Sequence, residues 1–191
     1  MSLRIYGNRL LRTPSGLETR PTLGRVRSAV FGRWHDRIDG CRWLDLCAGA
    51  GSMGAEALAR GAQEALGIEL SAATARIAAL NWEKVAPGRG TIWKADVLAG
   101  IARLVKAIRT FDLIYFDPPY RSALYAPVLA AIADAKLLVA DGELAAEHSD
   151  DLPDLPEQIE TLVRIDRRVY GSTAVSYYRF LAADPAPGCN S

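Results

Sequence analysis

The chain is poor in the residues that staple a fold or ligate a metal: its 191 residues include three cysteines, two histidines and two methionines. Cys41, Cys47 and Cys189 are an odd number without the paired spacing of a zinc site, so neither a disulfide framework nor a bound metal is expected. Cys47 stands among apolar residues, where a small buried side chain is the expected role. Neither His35 nor His148 is expected to act in catalysis, and His148, between Glu147 and Ser149, reads as a surface residue. No stretch approaches the roughly 18 unbroken apolar residues of a membrane span, and MSLRIYGNRLLR is too basic and too briefly apolar for a secretory signal. A cytoplasmic chain with no membrane partner is therefore expected. Internal repeats are lacking too, and only AADPAPGCNS at the end has the composition of a disordered tail.

A large net charge is also missing, but the formal +1 hides an asymmetry. Residues 1–37 carry eight arginines (Arg4, Arg9, Arg12, Arg20, Arg25, Arg27, Arg33 and Arg37) against Glu18 and Asp36, a net of +6. The remainder carries 15 basic and 20 acidic residues, a net of −5. A basic arm on an acidic body points to a polyanionic partner, since clustered guanidiniums bind phosphates and stack on bases. The same pattern also describes a solvated, arginine-rich surface strand.

What is present is enough apolar residue for a core, 50% of the chain, in the length of one ordinary domain. Residues 3–12 read as a short strand, Thr13–Gly16 as a turn, and Thr22–Arg37 as an amphipathic helix with Thr22 as N-cap. From Arg42 the pattern becomes apolar strands alternating with helices. RWLDLCA precedes a helix at 52–60, EALGIEL one at 72–84, GTIWKA one at 97–108, and FDLIYFD one at 125–133. Such units predict an α/β fold, a mostly parallel sheet with helices on both faces. Segments 160–170 and 173–180 flank Gly171-Ser172 and predict a C-terminal antiparallel hairpin. The expected organisation is a basic extension over 1–37, a catalytic domain over 38–182, and a tail over 183–191.

Within LDLCAGAGSMGAEALARGA, Gly49, Gly51 and Gly54 follow a strand and open a helix in G-x-G-x-x-G spacing. Glycine there permits a tight turn and lets a ligand approach amides at the helix start, or it serves close strand-to-helix packing. Glu69 ends the next strand, 20 residues after Gly49, placed for ribose hydroxyls. Asp45, inside the strand before the loop, can organise that loop and hold a cationic ligand group. Asp96-Val97 ends the third strand, where the acid suits an adenine amine and the apolar residue its face; Asp96 serves equally as the N-cap of the following helix. These acids share the carboxyl edge, where doubly wound sheets bind ligands.

FDPPY closes the fourth strand on the same edge. Pro118 and Pro119 end the ladder abruptly, leaving the Pro118 carbonyl beside the Asp117 carboxylate. Two acceptors aimed into one space suit the two hydrogens of an exocyclic amine, and Tyr120 offers a ring for a base to stack on.

At this point the chain resembles a known family. RPTLGRVRSAVF, LDLCAGAGSMGAEALARGA, GIEL, DLIYFDPPY and the glycine-containing hairpin resemble the RsmD family of small-subunit ribosomal RNA guanine-N2 methyltransferases, over about residues 3–180. The resemblance implies a class I S-adenosylmethionine-dependent fold, Rossmann-like, that methylates one guanine amine of 16S rRNA in a protein-bearing assembly intermediate, as a monomer. It implies a cofactor-binding set of Asp45, Cys47, Ala48, Gly49, Ala50, Gly51, Ser52, Gly54, Glu69, Leu70, Asp96, Val97 and Asp117. It implies a target-base site of Asp117, Pro118, Pro119 and Tyr120, and RNA contacts from Arg20, Thr22, Arg25 and Arg27. Cys47 stands where the family often has Phe, and Arg168-Val169-Tyr170-Gly171 replaces a more lysine-rich turn. In-line transfer to the flipped or unpaired base needs no covalent enzyme intermediate, and either Asp117 or water takes the released proton. Other amino-group methyltransferases, acting on DNA bases or protein glutamine, use the same acceptor pair, although there is no separate target-recognition domain and Asp117 stands where glutamine enzymes carry Asn. A non-catalytic RNA-binding factor would need neither the glycine loop nor that pair, and nothing resembles a hydride-transfer acid–base pair.

Overall fold

Arg42–Leu46 forms β3, the strand on which the architecture is centred. The structure is a computed structural model and describes residues 2–14, 21–119, 122–151 and 155–181. After β3 come α2 (Ser52–Ala59), β4 (Glu64–Glu69), α3 (Ala72–Val85), β5 (Gly90–Lys94), α4 (Val97–Lys106), β6 (Phe111–Phe116), α5 (Tyr125–Asp134) and β7 (Leu138–Ser149). Then follow β8 (Gln158–Ile159), β9 (Leu162–Tyr170) and β10 (Thr173–Phe180). The eight-stranded sheet has the order β5-β4-β3-β6-β7-β10-β9-β8. Strands β3 to β7 pair in parallel, and β10 is antiparallel to both β7 and β9. Chain order reverses between β3 and β6, so loops after these strands open a crevice at the carboxyl edge. The sequence-predicted α/β fold, its four strand–helix units and its terminal hairpin are all present.

Alternation along β3 assigns the two faces. Trp43 joins a core with Val26, Phe31, Trp34, Trp82, Tyr115 and Tyr177, whereas Leu44 and Leu46 join one with Ile68, Ile101, Phe116 and Leu129. The basic extension therefore shares the first core: Val26, Val30, Phe31 and Trp34 of α1 (Pro21–Arg33) and its following turn are fully buried. Burial of side chains this size contributes about 1.5–3 kcal/mol each. A carboxylate ties that segment down. Glu143 of β7, 2% exposed, accepts from Trp34 Nε1 at 2.6 Å and Arg33 Nε at 3.0 Å, and pairs with Arg37 and Arg179. Burial pushes its carboxyl up, and the bonds from Trp34, Arg33 and Arg179 more than offset this, holding it below its usual range.

Several local expectations are corrected. Residues 3–12 form a hairpin, β1 (Ser2–Ile5) and β2 (Arg9–Arg12), rather than one strand. Gly7 and Asn8 take φ of 69° and 62°, the left-handed conformation that closes a tight turn. The helix expected to Arg37 ends at Arg33, and it begins at Pro21, so Thr22 lies inside its first turn instead of capping it. His148 is 0% exposed, not a surface residue: β7 lies inside the sheet, and its ring meets Ser176 Oγ and the Ser149 carbonyl, each at 3.0 Å. Cys47 is half-buried rather than buried, with φ of 63°. The Thr13–Gly16 turn and the tail fall partly or wholly outside the described residues.

Candidate active site

The glycine loop between β3 and α2 is built by two different physical demands. Gly49 (φ +55°) and Gly51 (φ +77°) are left-handed, a conformation favouring glycine. Beyond that, a Cβ on Gly51 or Gly54 would collide with the indole of Trp82 at 2.5 and 2.1 Å, whereas one on Gly49 would meet nothing within 4 Å. Gly54 thus serves packing, and Gly49 leaves open space toward the edge. Trp82, fully buried in α3, also donates its Nε1–H to the Gly51 carbonyl at 2.7 Å. Its neighbour Asn81 donates to the Ala50 carbonyl at 2.9 Å and bonds both backbone groups of Arg12, fastening the β1–β2 hairpin to the loop.

Asp45, 2% exposed, accepts from the Gly54 amide at 3.0 Å, so its carboxylate organises the loop as expected. Desolvation drives its pKa up to about 8, against the Gly54 hydrogen bond and with the help of Glu69. Glu69 accepts from the Gly49 and Ser71 amides, both at 2.8 Å. A carboxylate has roughly four lone-pair sites, which leaves capacity for two hydroxyl donors. Leu70 follows it, 65% exposed, an apolar surface at the same edge. Asp96 is exposed and caps α4 through the Leu98 and Ala99 amides, at 3.0 and 3.3 Å, while Val97 is packed into the second core.

Asp117 extends the ladder one residue past β6, its amide donating to the Leu46 carbonyl at 3.2 Å. Pro118 is buried and Pro119 exposed, with the Pro119 carbonyl accepting from Ser122. Burial, then Glu147, then Asp45 hold the Asp117 carboxyl well above the usual carboxylate range. Cys47 marks the centre of the arrangement. Burial and the fields of Glu69, Asp117, Asp45 and Asp96 push its thiol up to about 12. The four acids expected at the edge therefore all act on one residue, and a place so electronegative suits a cation.

Ala48 is nearly buried, and Ala50 and Ser52 half-buried, in the same loop. Arg25 is exposed. Arg27 is not free: its guanidinium pairs with buried Glu56 of α2 at 3.1 Å and donates to the Arg4 carbonyl. Tyr120, Arg20 and the Thr22 side chain lie outside the described residues. Among the described residues no cluster could hold a metal ion, and no helix is long and apolar enough to cross a membrane. Sequence reasoning missed Glu147, Tyr115, Asn81 and Trp82. Only Trp82 left a signal, as a large residue on the apolar side of an amphipathic helix beside a glycine-rich loop.

Comparison with known proteins places this geometry. The chain is 30% identical over 172 residues to "Putative rRNA methyltransferase YlbH" of Bacillus subtilis (strain 168), covering 90% of this chain and 93% of that protein. It is 27% identical over 160 residues to "Ribosomal RNA small subunit methyltransferase D" of Escherichia coli (strain K12), covering 81% and 79%. Its structure is similar to that of "Putative methyltransferase yhhF" from Escherichia coli, with a TM-score of 0.81 and 26% identity over 96% of this chain and 100% of that one. The family described as Conserved hypothetical protein 95 matches residues 3–179, and the chain belongs to it, that is, to the RsmD family of methyltransferases.

Proposed function

We propose that this protein is an S-adenosylmethionine-dependent enzyme that methylates the exocyclic N2 amine of a guanine in small-subunit (16S) ribosomal RNA. The substrate is a protein-bearing assembly intermediate in the cytoplasm, and the enzyme acts as a monomer. The observation that carries the reading is the placement of four acids on one carboxyl edge: Glu69 on the Gly49 amide, Asp45 on the Gly54 amide, Asp96 capping α4 one residue after Ala95 bonds the Glu69 carbonyl, and Asp117 bonding the end of β3 ahead of Pro118-Pro119. S-adenosylmethionine fits it. The cofactor is cationic at sulfur and amine, and the strongest charges acting on Asp45, Cys47 and Asp117 from the described residues are acidic. When bound, it supplies an electrophilic methyl group.

The chain's own residues do the rest. Glu69 receives the ribose hydroxyls, the open space at Gly49 admits the ligand against the loop, and Asp45 keeps the loop folded while facing positive charge. Asp96 is already an N-cap, with one oxygen occupied, and offers its other oxygen to the adenine amine. Leu70 covers the base. The Asp117 carboxylate and the Pro118 carbonyl would accept hydrogen bonds from the two N–H groups of the guanine amine, drawing the nitrogen lone pair out of conjugation. Tyr120 stacks on the flipped guanine, and Arg25 and Arg20 meet RNA phosphates.

Mass spectrometry of ribosomal RNA from cells lacking the protein tests this. One N2-methylguanine is expected to vanish from 16S rRNA and to return on complementation. Full modification in its absence would reject the substrate. Calorimetry with S-adenosylmethionine separates an enzyme from a non-catalytic RNA binder, for which no heat of cofactor binding is expected.

A further inference from the structure

The C-terminal hairpin turns at the same edge of the sheet as the candidate active site. Register pairs Phe116 with Ala146, Ala146 with Ser176 and Ser176 with Arg167. The next position on each strand gives a row of Asp117, Glu147, Val175 and Arg168, in which Val175 pairs with both Glu147 and Arg168. Neighbouring strands lie about 4.8 Å apart, so Arg168 stands about 14 Å from Asp117 along this row. Two residues back along β6, the row of Tyr115, Ala145 and Tyr177 is buried in the core shared with α1. Alternation puts Asp117 and Arg168 on that same face.

The Arg168 side chain is already aimed. Its Nε donates to Asp166 Oδ2 at 2.9 Å, the same oxygen that accepts from Arg33 Nη1 at 2.7 Å. Its two terminal nitrogens make no hydrogen bond among the described residues, and although α1 lies over β9 and β10 the side chain is 53% exposed. Arg33 leads on to Glu143, which also pairs with Arg37 and Arg179. Four guanidiniums in this cluster thus meet two carboxylates, a formal surplus of two positive charges. Arg168 and Arg179 are its exposed ends. A guanidinium held by Nε presents its terminal nitrogens as a fork, the geometry that grips two phosphate oxygens at once. Because the fork is fixed beforehand, less side-chain entropy is lost on binding.

We propose that Arg168 grips a backbone phosphate of the RNA strand beside the target nucleotide, with Asp166 as the residue that positions it. The inference rests on the ribosomal RNA reading above. A base turned out toward Asp117 leaves its backbone at the rim, and the strand on one side of it runs along the edge of the sheet, over β7 and β10 to the hairpin turn. A phosphate contact there sets the register of the strand and carries no base identity. Arg25 meets the RNA from the N-terminal part of the chain, and Arg168 meets it from the C-terminal part.

The test is equilibrium binding of the full chain to assembled small-subunit RNA particles lacking the modification, from about 50 to 200 mM salt. Melting and S-adenosylmethionine titration are run on the same samples and are expected to stay at parental values. Arg168→Ala is expected to lower the salt slope by about one, so that affinity falls about three- to fourfold less across that range. Arg168→Lys keeps the slope, because the charge remains, and binds more weakly, because the fork is gone. The double variant Arg25→Ala with Arg168→Ala is expected to lower the slope by about two, since the two residues meet separate phosphates. Arg168→Gln, which can still donate to Asp166, decides the matter if Arg168→Ala melts below the parent. A parental slope and affinity in a folded Arg168→Ala overturns the proposal, and methyl transfer by the parent then leaves the function standing. Weaker binding by Arg168→Ala at an unchanged slope overturns it too, and assigns this face to a protein of the particle. A parent that transfers no methyl to the particle rejects the reading of function itself.

Discussion

The indole of Trp82 occupies the space a side chain on Gly54 would need, with Cζ2 2.1 Å from the Cβ position. Gly54→Ala therefore forces a buried, inflexible ring to move. The expected cost is about 1–3 kcal/mol, a fall in melting temperature of roughly 2–12 °C for a chain of this size. Gly49→Ala meets no atom, only a left-handed φ, so it is expected to melt closer to the parent while binding S-adenosylmethionine more weakly. Thermal melting and cofactor titration on the same samples check this; equal melting of the two variants would dissolve the distinction.

The arginine arm divides in the same manner. Arg25 is exposed, whereas Arg27 is spent on Glu56, which is 4% exposed and also holds Arg60. Arg25→Ala is expected to lower the salt dependence of RNA binding by about one counterion with no change in melting. Arg27→Ala removes a charged partner from a buried carboxylate, for an expected loss of about 1–3 kcal/mol in stability. The salt slope should then stay at the parental value. A reversed assignment, with the slope moving only for Arg27, would mean that the ion pair opens on RNA.

How far this was readable from the sequence depends on whether a feature is local. The four strand–helix units were legible because apolar strands, N-caps such as Ser71 and Asp96, and the glycine loop are each written within a few residues. Asp45, Glu69 and Asp117 were legible because a strand's end fixes its position on the edge. The β1–β2 hairpin was not, since Tyr6-Gly7-Asn8 is a short turn inside an apolar, basic run. His148 was misread for a different reason: flanked by Glu147 and Ser149 it looks solvated, yet Tyr115 and Ser176 from neighbouring strands satisfy this polar stretch. Cross-strand partners are set by register, and register is a tertiary fact. Glu147 belongs to that class too.

Asp45 gives a pH dependence of opposite sign to that of an ordinary salt-bridged acid. Its folded pKa is raised from 3.8 to about 8, so the folded state binds the proton more tightly than the unfolded chain does. Stability is then greatest below the unfolded value and falls as pH rises from about 4 toward 8. Asp112, held down by Arg42, and Glu143, held down by Trp34, Arg33 and Arg179, act the other way and lose their contribution as pH falls through the acid range. Asp45→Asn is expected to flatten the decline between pH 5 and 8 in denaturant titrations, and added S-adenosylmethionine to flatten it in the parent. An identical decline in parent and variant would show that Asp45 does not carry the proton.

Asp117 separates two reasons for the stretch FDPPY, because ending a strand and holding an amine respond differently to one change. Asp117→Ala keeps both prolines and the hydrogen bond from its backbone amide to the Leu46 carbonyl, so β6 still stops where it does. The lost carboxyl is one whose ionisation the fold disfavours, and removing it is expected to leave the melting temperature at neutral pH unchanged or higher. On the proposed function, what disappears is one of the two acceptors that would hold and polarise the guanine amine. Loss of a comparable preorganised group costs about a hundred- to a thousandfold in turnover. Single-turnover methyl transfer to assembled small-subunit RNA measures this, with melting and cofactor titration run alongside. Normal melting with a hundredfold slower transfer assigns Asp117 to the chemistry. Parental transfer rates would reduce Asp117-Pro118-Pro119 to a way of ending a strand, and a variant that melts far below the parent would assign Asp117 to the fold.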